Sequence, residues 1–269
     1  MGGSKSSVIC FPNRMGFAVP FLALGRFSHQ NALTRDALPV SEFFPDFPPL
    51  LPKIPMNLGI IDYGGGNLQS VRNALLHAGV EAAYVNTPEA FEDMDALVFP
   101  GQGRFDDSMA GLTRQGLVEP LREWIRADRP FFGICIGYQA LFERSQENPG
   151  VAGLGIFEGE VVRFPNRPGL KVPHMGWNQV RLTHPEDPAW AGQDPDPYFY
   201  FVHSYYPSPA DPALTAGVTD YEGKFVCAIQ KGNLLATQFH PEKSQNAGLT
   251  LLGQFVKRHQ GAAEPSMHL

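Results

Sequence analysis

From Met56 onward the chain alternates short apolar runs with segments whose apolar residues recur at helical spacing. That alternation restricts the folds open to it. Leu58-Gly59-Ile60-Ile61 is apolar without a break, the mark of a strand buried on both faces. The turn Tyr63-Gly64-Gly65-Gly66 follows, and Asn67 is placed to cap a helix. Leu68, Val71, Leu75 and Leu76 give that helix one apolar face, and Gly79 ends it. Residues 80–85, 96–99 and 130–134 read as further strands. A helix over 117–127 carries Leu121, Trp124 and Ile125. This pattern predicts an α/β fold: a mostly parallel central sheet with helices on both faces. The second half changes character. Residues 161–164, 198–205, 225–230 and 234–239 read as strands, with Lys231-Gly232-Asn233 as a hairpin connection and a helix over 248–258. They are expected to extend the same sheet in antiparallel fashion.

Composition changes sharply at Met56. Before it lies a segment without sustained periodicity that ends in Pro39, Pro45, Pro48, Pro49, Pro52 and Pro55. So many prolines remove donors and fix φ, which suits an extended arm rather than a packed domain. The expected organisation is a disordered or mis-assigned extension over 1–55, one domain over 56–260, and a flexible tail over 261–269. Residues 15–24 vaguely resemble a signal-peptide core, and Met1-Gly2 with Ser6 matches the loose myristoylation pattern. Both matches are short and are set aside.

The formal net charge of −6 gives no electrostatic reason to expect nucleic-acid or membrane-surface partners, which are anionic. No stretch reaches the apolar length of a membrane-spanning helix. The cysteines Cys10, Cys135 and Cys227 are odd in number and widely spaced, and form no CxxC pair. They argue for a reducing, cytoplasmic setting and against a disulfide framework or a zinc site.

One of these thiols sits in a chemical context. Gly133-Ile134-Cys135-Ile136-Gly137 is G-x-C-x-G, the thiol form of the nucleophile elbow, at the end of an expected buried strand. A helix over 138–144 is expected to follow, and its N-terminal partial charge would favour the thiolate. The backbone N–H of Ile136 would face the developing oxyanion. A thiolate nucleophile needs a base and a group to orient that base. His240-Pro241-Glu242 supplies both at the end of another apolar strand.

Gly133 to Gln139 (GICIGYQ) and Gln238 to Ser244 (QFHPEKS) together resemble the class I, triad-type glutamine amidotransferases. Asp62 to Leu68 (DYGGGNL), Val172 to Asn178 (VPHMGWN) and Tyr200 to Tyr206 (YFVHSYY) narrow the resemblance. They are similar to the glutaminase subunits of imidazole glycerol phosphate synthases, in histidine biosynthesis. The similarity is collinear and runs from about Met56 to Arg258.

The resemblance implies a flavodoxin-like sheet and a set of roles. Cys135 would attack the carboxamide of L-glutamine and form a glutamyl thioester. His240 would protonate the departing ammonia and then activate water, with Glu242 orienting it. Pro100-Gly101-Gln102-Gly103 would be the oxyanion loop, with Gln139, Ser204 and Tyr205 contacting glutamine. Asn67, Trp177, Tyr200 and Lys243 match positions at the interface with a (β/α)₈-barrel cyclase subunit, to which ammonia passes through a sheltered channel. No cofactor and no metal are implied. Three departures stand out: Tyr138 where methionine is frequent, Ile136 where leucine is usual, and Gln102 where a small apolar residue is common. The resemblance also implies a poor glutaminase in isolation, raised by partner and acceptor binding.

A nucleotide site at Gly64-Gly65-Gly66 fails the dinucleotide fingerprint, because Gln69 stands where a glycine is needed. His174 and His203 lack ligand spacing and read as structural histidines. The alternatives are a class I glutaminase serving another synthase, a free-standing γ-glutamyl hydrolase, and a subunit that has lost its activity. The intact Cys135, His240 and Glu242 set speaks against the last.

Overall fold

In a computed structural model the described residues are 54–260. The expected extension before Met56, save its last two residues, and the expected tail lie outside them.

An eight-stranded sheet runs through this region in the order β2-β1-β3-β4-β13-β12-β11-β8. Its strands are β1 (Leu58–Ile61), β2 (Ala82–Val85), β3 (Ala96–Gly101), β4 (Phe131–Cys135), β8 (Arg181–Leu182), β11 (Thr215–Asp220), β12 (Lys224–Lys231) and β13 (Leu234–Thr237). The pairs from β2 through β13 are parallel. From β13 outward to β8 the pairing is antiparallel. The continuous apolar runs now have their reason. Ile60, Val98 and Phe132 face one core cluster, and Ile61, Leu97 and Phe131 face the other. Each strand therefore buries both faces, as parallel strands between helices do.

Helix α1 (Leu68–His77) and α5 (Gln245–His259) cover the first face, through Val71, Leu75, Leu251 and Phe255. Helices α2 (Phe105–Arg114) and α3 (Val118–Arg126) cover the second, through Phe105, Leu112, Leu121 and Trp124. Asn67 caps α1 by accepting from the Ser70 amide at 3.4 Å, and Gly79 follows the helix with φ of 91°. Leu76 is 37% exposed and leaves the expected apolar face, which instead uses Leu68, Val71, Ala74 and Leu75. Leu76 lies one residue, about 100° of helical turn, beyond Leu75. Helix α2 escaped the reading of the sequence although Phe105, Met109 and Leu112 carry its spacing.

Two expectations are corrected. The helix expected over 138–144 is a single turn, α4 (Ile136–Gln139), followed at once by strand β5 (Phe142–Ser145). Pairing decides this, since β5 hydrogen-bonds beside β6 (Phe157–Arg163). In addition, Gly153 lies so close to the Phe142 carbonyl that a Cβ there would sit 2.0 Å from it. The strands of the second half also do not all join the main sheet. β5 and β6 form a separate three-stranded sheet with β10 (Tyr205–Pro209). β7 (His174–Gln179) and β9 (Tyr198–His203) form a two-stranded one. The run expected over 198–205 breaks at Ser204, whose carbonyl accepts from the Phe164 amide at 3.1 Å. Alternation within a strand says which residues face inward but not which sheet it joins.

Candidate active site

The sheet register brings three chain segments together at one edge. Gly101 stands opposite Cys135 across β3 and β4, and Thr237 stands opposite Ile134 across β4 and β13. The C-terminal ends of three neighbouring parallel strands thus deliver the Gly101 loop, the thiol and the His-Pro-Glu segment to one place. Open α/β sheets bind ligands at such ends.

Cys135 closes β4 with φ of 53° and ψ of −101°. A side-chain-bearing residue held there is strained, and the strain turns Sγ out of the strand line. The flanking glycines are required by contact. A Cβ at Gly137 would lie 1.8 Å from the Phe99 carbonyl oxygen, and one at Gly133 would lie 2.8 Å from that of Gly137. The single turn of α4 leaves little aligned dipole behind the thiol, so the expected helix contribution to the thiolate is small.

His240 and Glu242 lie on the turn after β13. The His240 Nδ1–H donates to Glu242 Oε1 at 2.8 Å, with both side chains almost fully buried. The turn is fastened from both sides. The His240 amide donates to the Tyr200 carbonyl at 2.9 Å. The Ser244 hydroxyl donates to the His240 carbonyl at 2.6 Å and accepts from the Tyr200 amide at 3.0 Å. Burial alone would lower the imidazole pKa, but the Cys135 sulfur and the Glu242 carboxylate outweigh it and raise it to about 10. His240 Nε2 is buried without a hydrogen bond. A ring so oriented and so basic can hold a proton beside a thiolate and pass it on.

A cavity of about 340 Å³ opens at this edge, lined by Cys135, His240, Ile136, Gln139, Gln102, Gly103, Ser204 and Tyr205 among others. Its volume suits a small polar ligand. Glu242 stands behind His240 and is not part of the lining. Gly101 also stands back, pressed against Ile136, where a Cβ would meet the Ile136 Cβ at 2.7 Å. Gln102 Nε2 is buried without a partner, and so is the Tyr63 hydroxyl, whose pKa burial pushes up to about 12. Tyr138 is fully buried, and its hydroxyl donates to the Val226 carbonyl at 3.3 Å. The departure at this position is therefore absorbed into the core.

Asn67, Trp177, Tyr200 and Lys243 do not line the cavity. Trp177 is 47% exposed and stands across from Tyr200 in the β7–β9 pair, the two rings meeting edge-on at 6.2 Å. Met175 and Tyr198, at 62% and 55% exposed, lie on the same two strands. Asn67 is spent on capping α1, and Lys243 lies on the turn that carries His240 and Glu242.

Residues that the sequence did not single out also belong here. Glu147 lines the cavity and accepts from the Phe105 amide at 2.9 Å. Gln238 donates through Nε2 to Cys135 Sγ at 3.5 Å. Gln238 was visible only as the residue opening the His-Pro-Glu segment. Glu147 had no local signal at all. His203 lines the cavity, and His174 stands behind it with Nδ1 3.0 Å from His203 Nε2. Burial lowers the pKa of His174 to about 4 and of His203 to about 3, so both stay neutral.

The family pattern of glutamine amidotransferase class-I matches residues 59–258. The chain belongs to that family. Among its relatives, the imidazole glycerol phosphate synthase subunit HisH of Acinetobacter baylyi is 49% identical over 200 residues, covering 74% of this chain and 97% of that protein. The protein of the same name from Nitrosospira multiformis is 50% identical over 210 residues, covering 75% of this chain and 97% of its own. In three dimensions the chain is similar to a glutamine amidotransferase crystal structure, with a TM-score of 0.60 and 20% identity over 74% of this chain and 97% of that one. It is also similar to PurLQS from Thermotoga maritima, with a TM-score of 0.61 and 16% identity over 76% and 98%. The structural likenesses extend the family's fold to this chain. Among the described residues no helix is long and apolar enough to cross a membrane.

Proposed function

We propose that this chain, through its domain over 56–260, is the glutaminase subunit of an imidazole glycerol phosphate synthase. It hydrolyses L-glutamine and hands the ammonia to a cyclase subunit. The observation that carries the reading is the one cavity shared by Cys135 and His240, with Glu242 bonded to the far side of the imidazole. The HisH relatives, alike over nearly their whole length, support the assignment to that synthase.

The reaction follows from the groups present. The Cys135 thiolate attacks the carboxamide carbon, and the carbonyl electrons move to oxygen. The Gly101-Gln102-Gly103 loop and the Ile136 amide stabilise that oxyanion. As the C–N bond breaks, His240 gives its proton to the leaving nitrogen, and ammonia departs from a glutamyl thioester. His240 then takes a proton from water, hydroxide attacks the thioester, and glutamate leaves as Cys135 recovers its charge. Glu242 keeps Nδ1 protonated and Nε2 aimed at the reacting atoms. Gln139, Ser204 and Tyr205 hold the substrate. Among the residues lining the cavity, Glu147 offers a carboxylate to its α-ammonium group.

Ammonia released into water is protonated and no longer a nucleophile, so it must travel sheltered. The exposed Trp177, with Tyr200, Asn67 and Lys243, is proposed as the docking face for a (β/α)₈-barrel cyclase. The expected setting is the cytoplasm, with no cofactor. The deciding test is glutamate release from glutamine, with and without that cyclase and its ribonucleotide substrate. Strong activation by the cyclase, lost in Cys135→Ala, supports the whole reading. Full activity that the cyclase leaves unchanged would point instead to another synthase or to a free-standing γ-glutamyl hydrolase.

A further inference from the structure

A single line of hydrogen bonds runs through the interior from the thiol to strand β7. Gln238 Nε2 donates to Cys135 Sγ at 3.5 Å. Gln139 Nε2 donates to Gln238 Oε1 and to the Tyr205 carbonyl, each at 3.2 Å. The same carbonyl accepts from His203 Nδ1 at 2.8 Å. His203 Nε2 meets His174 Nδ1 at 3.0 Å, and His174 Nε2 meets Asn178 Nδ2 at 3.2 Å. Asn178 Nδ2 also donates to the Asp220 carbonyl at 2.9 Å.

The Tyr205 carbonyl settles every orientation along this line, because a carbonyl only accepts. The Gln139 amide must turn its NH₂ to that carbonyl. The same NH₂ reaches Gln238, which must therefore present Oε1. What remains for Gln238 to point at the sulfur is its NH₂. On the other branch, His203 carries its proton on Nδ1, so its Nε2 accepts. His174 then donates from Nδ1 and accepts at Nε2 from Asn178. The two histidines satisfy this pattern only while both are neutral. Gln139, Gln238, His174 and His203 are all buried, so an inverted amide would leave unpaired polar atoms inside the core.

We propose that Gln238 is a positioning residue for the nucleophile, holding the Cys135 thiolate with an N–H whose direction the Tyr205 carbonyl sets through Gln139. The inference rests on Cys135 being the nucleophile proposed above. It also answers a need of this site. The turn after Cys135 is too short to supply a helix dipole, and His240 must surrender its proton during the reaction. Gln238 supplies a donor that stays in place throughout. Its backbone is anchored apart from the site, with its amide donating to the Cys227 carbonyl at 2.8 Å.

The test compares Gln238→Met and Gln238→Glu with the natural chain, both in complex with the cyclase. Three quantities are read: kcat and KM for glutamine, the melting transition, and the rate of Cys135 alkylation by iodoacetamide across pH, followed on the Cys135 peptide by mass spectrometry. Gln238→Met removes the donor at similar volume. It is expected to lower kcat about tenfold or more, change KM less than twofold, and move the alkylation profile to higher pH. Gln238→Glu keeps the shape but turns an acceptor and a charge toward the sulfur, and is expected to lose more. Should the Met variant lack a cooperative melt, the Glu variant carries the test. Kinetics and an alkylation profile within twofold of the natural chain in a folded variant would reduce Gln238 to core packing. Turnover that survives in Cys135→Ala, measured in parallel, would instead remove the nucleophile itself.

Discussion

At the scale of single residues the site depends on atoms that are absent as much as on those present. Cys135 holds a positive φ of 53°, a conformation that costs a side-chain-bearing residue on the order of 1–3 kcal/mol. Cys135→Gly is therefore expected to abolish glutamate release yet leave the chain at least as stable in urea denaturation, because glycine carries no such penalty. Glu242→Gln keeps the shape but loses the charge that holds the imidazole proton on Nδ1. Its kcat is expected to fall about a hundredfold or more in a steady-state glutaminase assay, with KM little changed. The G-x-C-x-G and His-Pro-Glu segments were legible in the sequence because such chemistry needs specific residue types close together. Gln238 and Glu147 were not, because pairing between distant segments brings Gln238 to the Cys135 sulfur and Glu147 to the cavity wall.

At the scale of elements, close approach decides function at a glycine far from the thiol in the chain. A Cβ at Gly248 would lie 1.8 Å from the Pro241 carbonyl oxygen, so α5 packs directly on the turn that carries His240 and Glu242. Gly248→Ala must push that turn or the helix aside. It is expected to lower kcat about tenfold or more in the same assay, through displacement of a base it never touches. The one-turn α4 is the element where the sequence misled. The residues after Gln139 carry helix-compatible apolar spacing, yet β5 forms there because Phe142 pairs with Phe157, fifteen residues on. Local propensity yields to such pairing when the alternative leaves a buried strand edge unpaired.

For the whole molecule, buried histidines set the response to pH. His174 and His203 have pKa values lowered to about 4 and about 3, and His259 to about 4. The unfolded chain takes up these protons near pH 6.5, while the folded chain resists until far lower pH. Their contribution to stability is thus present above about pH 6.5 and lost as pH falls toward 4. His240, raised to about 10, works the other way: its contribution is present below about 6.5 and fades as pH rises toward 10. Urea denaturation is expected to show stability falling between pH 7 and pH 5, by about 2 kcal/mol through the deeply buried His203 and by less through His174 and His259, with His240 offsetting part of the loss. A flat profile there would mean that these histidines take up their protons in the fold near pH 6.5, as they do in the unfolded chain. On the outer surface, Trp177→Ala is expected to weaken the cyclase complex about tenfold or more by calorimetry, as loss of a large aromatic anchor does at an interface.

Read alone, the sequence determined what periodicity and local chemistry can specify. It showed strands buried on both faces, three of the four helices that cover them, a strained cysteine between obligatory glycines, and a base with its carboxylate two residues away. These depend on near neighbours in the chain, which the sequence contains in full. Only the tertiary structure decided which strands share a sheet, that the run over 198–205 breaks at Ser204 to serve two of them, and that a line of amides and neutral histidines leads from β7 to the thiol. Those features rest on hydrogen bonds between groups as far as 103 residues apart, as between Gln238 and Cys135. A buried polar group must find its partner wherever the fold brings one, and sequence spacing carries no record of that choice.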